Sequence, residues 1–293
     1  MPLRQPEVSR HDAFAEAVNS ALGGRAGVLD IEYVAETGST NADLLDRTRD
    51  PAAKKWDRPC LLVAERQTAG RGRRGRNWQA TPGASLTFSL AWPLRTADLS
   101  GLSLAIGVAI AEALDPAQAT HRRVAIKWPN DLWLVGSSGE GSKLGGILIE
   151  TAPIDGGRLA VIGVGINVLE QRVAEASSGV AWLGQLDAGA TPARALERIV
   201  PALMDALARF EDAGFGAFEA RFAARDLLRG RPVRCTGQGN AQSLDGVADG
   251  VSPLGELLVH TPRGVEAVSS GEVSVRLADG QAPATPEKSR APC

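Results

Sequence analysis

Residue 229 divides the chain by texture. Before it, apolar residues recur at helix and strand spacings over long runs. After it, from RGRPVRC (229–235) to EVSVRL (272–277), only short strand-like runs remain, separated by glycine-rich turns. Closely spaced runs of this kind close into a small antiparallel β-barrel, here of about fifty residues. The 293 residues are enough for two unequal units, and they are read as a larger one over 1–228 and a barrel over 229–278. Residues 279–293 are polar, contain three prolines, and are read as a disordered tail.

The larger unit mixes helices and strands. SRHDAFAEAVNSAL (9–22) carries Phe14, Val18 and Leu22 at every fourth position, with Ser9 able to cap and Gly23-Gly24 ending the run. VLDIEYVAE (28–36) reads as a strand, and GSTNADLLDR (38–47) as a turn and a short helix capped by Ser39 or Thr40. PCLLVAE (59–65) and ASLTFSLAW (84–92) are strands, and LSGLSLAIGVAIAEAL (99–114) is a helix apolar enough for the core. RVAIKWPNDLWL (123–134) is a strand, a proline turn and a strand. KLGGILIET (143–151) and RLAVIGVGINV (158–168) make a hairpin. TPARALERIVPALMDALARFEDAGF (191–215) predicts a long helix kinked at Pro201, with a shorter helix near 216–226.

Composition removes several classes of function. The net charge of -2 gives no global attraction to nucleic acid or to an anionic membrane. Cys60, Cys235 and Cys293 form no C-x-x-C pair and no histidine-linked pattern, which argues against a disulfide framework or a zinc site and fits a reducing cytoplasm. MPLRQPEVSRHDAF lacks the apolar core of a signal peptide. No apolar run approaches the roughly 18 to 20 residues that span a bilayer. His11, His121 and His260 are too widely separated to suggest a Ser-His-Asp triad or a metal cluster, and no phosphate-binding G-x-x-x-x-G-K-[ST] loop occurs.

Against this ordinary background, GRGRRGRNW (70–78) is unusual. Residues 66–76 hold five arginines and no acid. Glycine lets backbone N–H groups approach an anion, and guanidinium forks grip phosphate or carboxylate. A solvated surface loop has the same composition, and so does an RGG-like nucleic-acid contact, although no basic stripe accompanies it here. In KWPNDL (127–132), Lys127 follows the apolar VAI and needs an anionic partner, either a carboxylate such as Asp131 or a ligand. Pro-Asn-Asp is also good turn chemistry. KLGGILIE (143–150) sets Lys143 two residues before a glycine pair, and GVGIN (163–167) adds Gly163, Gly165 and Asn167. Strand glycines mark close approach by a ligand or simply by another backbone. Together these residues could stabilise an anionic transition state without an enzyme nucleophile.

GSTN (38–41), QTAGRGRRGRNW (67–78), KWPND (127–131), KLGGILIE with GVGIN, and SSGEVSVRL (269–277) resemble, in order and spacing, the motifs of the biotin–protein ligases. The resemblance runs from about residue 30 to 278. It implies an α+β catalytic domain, a mixed and mostly antiparallel sheet backed by helices in the manner of class II aminoacyl-tRNA synthetases and lipoate ligases, with a C-terminal SH3-like β-barrel. It implies that biotin and MgATP form biotinyl-5′-AMP, and that a lysine of the biotin carboxyl carrier protein of acetyl-CoA carboxylase then takes the biotin. By the same resemblance Ser39, Thr40, Asn41 and Gln67 contact biotin. Arg71 reaches its carboxylate or the phosphate joined to it. Gly70 and Arg73 belong to a loop that orders over the biotinyl chain. Lys143 lies at the reacting carboxyl and phosphate, with Gly145 and Gly146 beneath the ligand. Trp78 and Asn167 hold adenine, and Arg74 and Arg76 reach the triphosphate. Lys127, Asn130 and Asp131 form a second strip, in which Asp131 holds Mg²⁺ or orients the carrier lysine. Fewer than forty residues precede GSTN, too few for the three-helix DNA reader of the repressor members, so no repressor activity and no DNA partner are expected. A homodimer is common in the family. The alternatives are a lipoate–protein ligase, whose glycine-histidine motif is absent, and an RNA-binding module.

Overall fold

The computed structural model describes residues 10–277 apart from 26, 50–55, 97, 117–122, 138, 172–178, 238–242 and 270–273, and apart from the side chains of 10–13 and 274. The tail expected to be disordered lies outside the described residues. Two compact units divide between Leu227 and Leu228, with Pro253–Gly255 grouped in the first.

The first unit is built on seven strands: β1 (Asp30–Thr37), β2 (Cys60–Gln67), β3 (Ser85–Leu94), β4 (Val124–Lys127), β5 (Asp131–Val135), β6 (Gly141–Ile154) and β7 (Gly157–Asn167). Their order across the sheet is β1-β2-β3-β7-β6-β5-β4. β1 and β2 are parallel and the other neighbours antiparallel. The helices are α1 (Arg10–Leu22), α2 (Thr40–Arg47), α3 (Leu102–Leu114), α4 (Pro192–Ala213) and α5 (Glu219–Ala223). This is the expected α+β arrangement. Pro201 lies within α4. The expected helix near 216–226 is a 3₁₀ turn at Phe215–Ala217 followed by α5.

Strand alternation gives the sheet two different faces. In β3, Ser85, Thr87 and Ser89 point one way and Leu86, Phe88 and Leu90 the other, all buried. The polar side lies under α2, whose Leu44 packs with Cys60, Leu62, Ala91, Leu159 and Val161. The apolar side carries most of the core. There α3 is buried at ten of its thirteen positions, with only Ser103, Glu112 and Ala113 part-exposed. α4 shows instead a stripe of Leu196, Ile199, Val200, Leu203, Leu207 and Phe210, at the spacing of an amphipathic helix. Each such side chain contributes about 1.5–3 kcal/mol when fully buried.

A buried ion pair anchors the β4–β5 hairpin. The Asp115 carboxylate, at the end of α3, accepts from the backbone N–H groups of Arg123 (2.7 Å) and Val124 (3.0 Å) and from Arg225 Nη1 (3.3 Å). Arg225 also donates to the carbonyls of Val124 and Asp115. The Arg225 and Asp115 side chains are 1% and 4% exposed. Burying these charges is tolerable only because the pair and its carbonyl partners satisfy them.

The second unit is a five-stranded antiparallel sheet. It comprises β8 (Pro232–Thr236), β9 (Leu244–Val251), β10 (Leu257–Thr261), β11 (Gly264–Val268) and β12 (Ser274–Leu277), in the order β11-β10-β9-β8-β12. Among the described residues Leu228, Val233, Cys235, Ala248, Leu257, Val259 and Val275 are its buried side chains. Burial pushes the Cys235 thiol up to about 11, so it stays protonated at neutral pH. His260 bonds Asp249 on the surface of this unit at 3.0 Å. Among the described residues no helix is long and apolar enough to cross a membrane.

Candidate active site

The site is built from an irregularity in β6. Leu132 pairs with Gly145, but the next residue, Trp133, pairs with Lys143, so Leu144 is one residue too many. A β-bulge of this kind re-aims the side chain beside it. Lys143 and Gly146 would point to opposite faces of a regular strand. The bulge brings Lys143 Nζ to 3.5 Å from where a Gly146 Cβ would stand. Asp131, the register partner of Gly146, bonds Lys143 Nζ through Oδ1 at 2.6 Å. Both side chains stay part-exposed, at 32% and 24%, so the pair can be reached by a charged ligand.

Glycines floor this face. Gly165 is the partner of Gly146 across β6–β7, and a Cβ on Gly165 would overlap the indole of Trp78. A Cβ on Gly163 would overlap the amide of Asn41. Gly145 has a different reason for being glycine, since its Cβ would come 2.5 Å from the Gly165 carbonyl oxygen. The two adjacent glycines therefore act separately: Gly145 permits strand contact, and Gly146 leaves space above the sheet.

The N-terminus of α2 carries a chain of polar side chains to the same face. Ser39 is its N-cap. Gln67 Oε1 accepts from the Thr40 backbone N–H at 2.8 Å. Thr40 Oγ1 and Ser89 Oγ are 2.6 Å apart. Ser89 donates to Asn41 Oδ1 at 2.6 Å, and Asn41 Nδ2 donates to Glu150 Oε2 at 2.8 Å. Ser39, Thr40 and Asn41 are all at most 5% exposed. Buried polar groups joined in this way hold a defined geometry.

The arginine loop closes on itself. The Trp78 N–H donates to the Gly70 carbonyl (2.9 Å), and the Gly72 N–H donates to the Arg76 carbonyl (2.7 Å). Gly70 cannot carry a side chain, because its Cβ would meet the Trp78 carbonyl oxygen at 2.6 Å. At the tip Arg74 takes φ 58°, a conformation uncommon for a residue with a side chain. Arg73 turns inward and donates to Asn130 Oδ1 at 3.4 Å. Burial lowers its basicity from the ordinary arginine value, and the nearby Asp131 carboxylate opposes that shift. Arg71 lines a different space, a cavity of about 310 Å³ shared with Ser39, Leu45, Asp46 and Glu150. Arg74 and Arg76 are exposed.

The remaining expected residues surround this centre. Asn130 donates to the Ile147 carbonyl at 2.7 Å, which ties the hairpin turn to β6. Lys127 lies over the Trp133 ring, 4.8 Å from its centroid, while Asp131 is bonded to Lys143. Asn167 donates to the carbonyls of Lys143 (3.4 Å) and Ala181 (3.1 Å) and accepts from Gln171 (2.6 Å), so its amide braces the Lys143 backbone. Ser89 and Glu150 were not read from sequence as site residues. The signal for Ser89 was present in SLTFSL: serine, threonine and serine at alternate positions of a buried strand.

An inward lysine–carboxylate pair, a glycine floor, a basic loop and a separate small β-sheet unit define the class, and comparison with known proteins agrees with it. Residues 39–167 match the biotin/lipoate A/B protein ligase family and residues 230–276 match the biotin protein ligase C-terminal domain. The bifunctional ligase/repressor BirA of Salmonella typhimurium is 34% identical over 271 residues, covering 90% of this chain and 79% of that protein. The biotin–[acetyl-CoA-carboxylase] ligase of Mycobacterium tuberculosis is 33% identical over 258 residues, covering 86% and 91%. The biotin protein ligase of Aquifex aeolicus, solved in complex with biotin and ATP, superposes with a TM-score of 0.68 at 26% identity, over 85% of this chain and 99% of that one. The chain belongs to the biotin–protein ligases. It is therefore a ligase with the biotin–protein ligase fold.

Proposed function

We propose that the glycine-floored face joins biotin to ATP and passes the biotin on to the biotin carboxyl carrier protein of acetyl-CoA carboxylase, and that the residues divide this work as follows. Ser39, Thr40, Asn41 and Gln67 hold the ureido ring. Gly146 leaves room for the biotinyl chain and the linkage to phosphate, Gly165 seats the Trp78 indole, and Gly145 sets the strand spacing beneath. Gly70, Arg71 and Arg73 close over the chain. Trp78 and Asn167 flank adenine, and Arg74 and Arg76 reach the leaving pyrophosphate.

The chemistry is a meeting of two anions. A biotin carboxylate oxygen bonds to the α-phosphorus, and the bond to the β-phosphate oxygen breaks, releasing pyrophosphate. Lys143 and Arg73 lower the repulsion and stabilise charge growing on the phosphoryl oxygens. The carrier amine then attacks the anhydride carbonyl, AMP leaves, and the amine loses a proton. Lys127, Asn130 and Asp131 line the approach, with Asp131 orienting that amine.

Mg²⁺ supplies further neutralisation of phosphate charge when bound. It enters sites of this kind with one or two carboxylates plus the phosphates. Asp131 is the carboxylate suited to it, and among the described residues no group of three His, Cys, Asp or Glu side chains forms a separate cage. Cys60, whose thiol donates to Glu32 at 3.5 Å, and the buried Cys235 are both thiols, which supports a cytoplasmic setting, and the edge position of β1 supports a homodimer joined there. The catalytic and barrel units are assigned to 1–228 and 229–278.

The observation that carries the reading is the Lys143–Asp131 pair standing over Gly146, in a chain of this family. Its test is ATP–pyrophosphate exchange, with biotin and then lipoate, followed by transfer to a carrier domain. Biotin-dependent exchange that falls about 10²–10³-fold in Lys143→Ala is the expected result. Exchange with lipoate alone, or a Lys143→Ala rate equal to wild type, overturns the reading.

A further inference from the structure

The polar chain that runs from Glu150 to Gln67 has a fixed direction, and the direction follows from one end. An ionised carboxylate can only accept. Glu150 accepts from Asn41 at 2.8 Å, as does the Leu148 carbonyl at 3.3 Å, so this side of the Asn41 amide must be its NH₂. The Asn41 oxygen therefore faces Ser89 and takes the serine proton at 2.6 Å. With that proton committed, Ser89 can offer Thr40 only a lone pair. The Thr40 proton points to Ser89, 2.6 Å away, in preference to Gln67 Oε1 at 3.2 Å. Either way it is committed inside the protein, and Thr40 Oγ1 keeps lone pairs for a ligand.

Gln67 is set in the opposite sense. Its Oε1 is held by the Thr40 backbone N–H, which has no alternative role as an acceptor. Its Nε2 accordingly lies on the Gly70 side, 3.3 Å from where a Cβ on that glycine would stand, and remains a donor. The pocket thus shows an acceptor and a donor next to each other. A cyclic urea shows the complement, an N–H beside a C=O.

We propose that Glu150, acting through Asn41 and the fully buried Ser89, is a positioning residue that sets the hydrogen-bond polarity of Thr40 and so makes the site select a ring N–H. This rests on the assignment of Thr40 and Gln67 to the ureido ring. Glu150 touches no substrate in this account. Its effect is exerted through two intermediates, and it lies five register positions along the β6–β7 ladder from Gly145. A carboxylate has a single polarity, whereas an amide at the same place can turn either way. Of the two acceptors at this end, Glu150 at 2.8 Å is the nearer and the charged one, and the Leu148 carbonyl at 3.3 Å the weaker.

The experiment compares biotin with a cyclic carbamate analogue, in which one ring N–H is replaced by oxygen, in pyrophosphate exchange by wild type and Glu150→Gln. A site built around one buried donor–acceptor pair rejects a ligand that lacks its half. Wild type is expected to prefer biotin strongly. Glu150→Gln replaces the charged acceptor by an amide that can turn either way, leaving only the longer bond to the Leu148 carbonyl to hold the Asn41 amide, and the preference is expected to fall at least tenfold, through a higher KM for biotin with kcat and the KM for ATP unchanged. Ser89→Ala, which breaks the relay in its middle, is expected to lose the same preference. A melting curve for each variant confirms that the selectivity is read on folded protein. A purely structural role for Glu150 would alter stability and leave the biotin-to-carbamate ratio unmoved, and that result, in either variant, overturns the relay. If wild type turns over no biotin, the ureido assignment falls as well, so the two failures are told apart.

Discussion

Adding one methyl group at Gly146 separates ligand space from protein packing. In the free protein a Cβ at 146 would stand 3.5 Å from both Asp131 Oδ1 and Lys143 Nζ, an ordinary contact, and the residue does not occupy positive φ. Gly146→Ala should therefore not destabilise the fold. Removing a glycine from a compatible position stabilises by about 0.4–1 kcal/mol through the unfolded chain, which corresponds to about 1–4 °C in a unit of this size. The same methyl rises into the space assigned to the biotinyl chain and its phosphate. Overpacking of one methyl in a close contact costs about 1–3 kcal/mol, or about 5- to 150-fold in affinity. The assays are a thermal melt and calorimetric titration with biotin and with biotinyl-5′-AMP. Unchanged or raised Tm with weakened binding is expected. Undiminished affinity would mean that no ligand passes over Gly146 and would refute the floor. Gly165→Ala is the contrast, because its methyl collides with the Trp78 ring already in the free protein. Its expected signature is altered Trp78 fluorescence before ligand is added.

Two further outcomes test the structural frame. Arg225→Ala leaves the Asp115 carboxylate buried without its guanidinium, and a loss of about 3–5 kcal/mol is expected in urea unfolding; a loss below 1 kcal/mol would contradict the anchoring role. Glu32 is held below the usual carboxylate range by its hydrogen bond to Arg47, so its contribution to stability is present above the unfolded value and is lost as pH falls through the folded one. Glu32→Gln should therefore reduce stability most at pH 7 and progressively less as pH falls below the unfolded value, as followed by melts from pH 7 to pH 3. An equal loss at both pH values would contradict this.

Much of the fold was legible because periodicity decides it. The four-residue spacing of Phe14, Val18 and Leu22 gave α1, and the alternation in ASLTFSLAW gave β3. Of Ser39 and Thr40, the two caps the sequence offers α2, Ser39 is the one that forms. The sequence offers Lys127 either a carboxylate such as Asp131 or a ligand as its partner, and the structure bonds Asp131 to Lys143. That outcome depends on the bulge at Leu144. A bulge arises from the pairing of two strands and leaves no mark in the order of residues along one of them, so the shared face of Lys143 and Gly146 could not be read in advance. The relay through Ser89 was hidden for a related reason. Asn41, Ser89 and Glu150 are far apart in sequence, and only the β3–β7–β6 order brings them together. The arginine loop was conspicuous by composition, but composition does not distinguish Arg73, which turns inward to Asn130, from Arg71, which lines the space beside Glu150.

A crystal structure of the protein grown with biotinyl-5′-AMP is the most direct measurement. The expected result is a ligand lying across Gly146, with its phosphate at Lys143, its urea between Thr40 and Gln67, and its adenine against Trp78. An adenylate bound elsewhere, with the Lys143–Asp131 pair undisturbed and solvent over the glycines, would contradict the account.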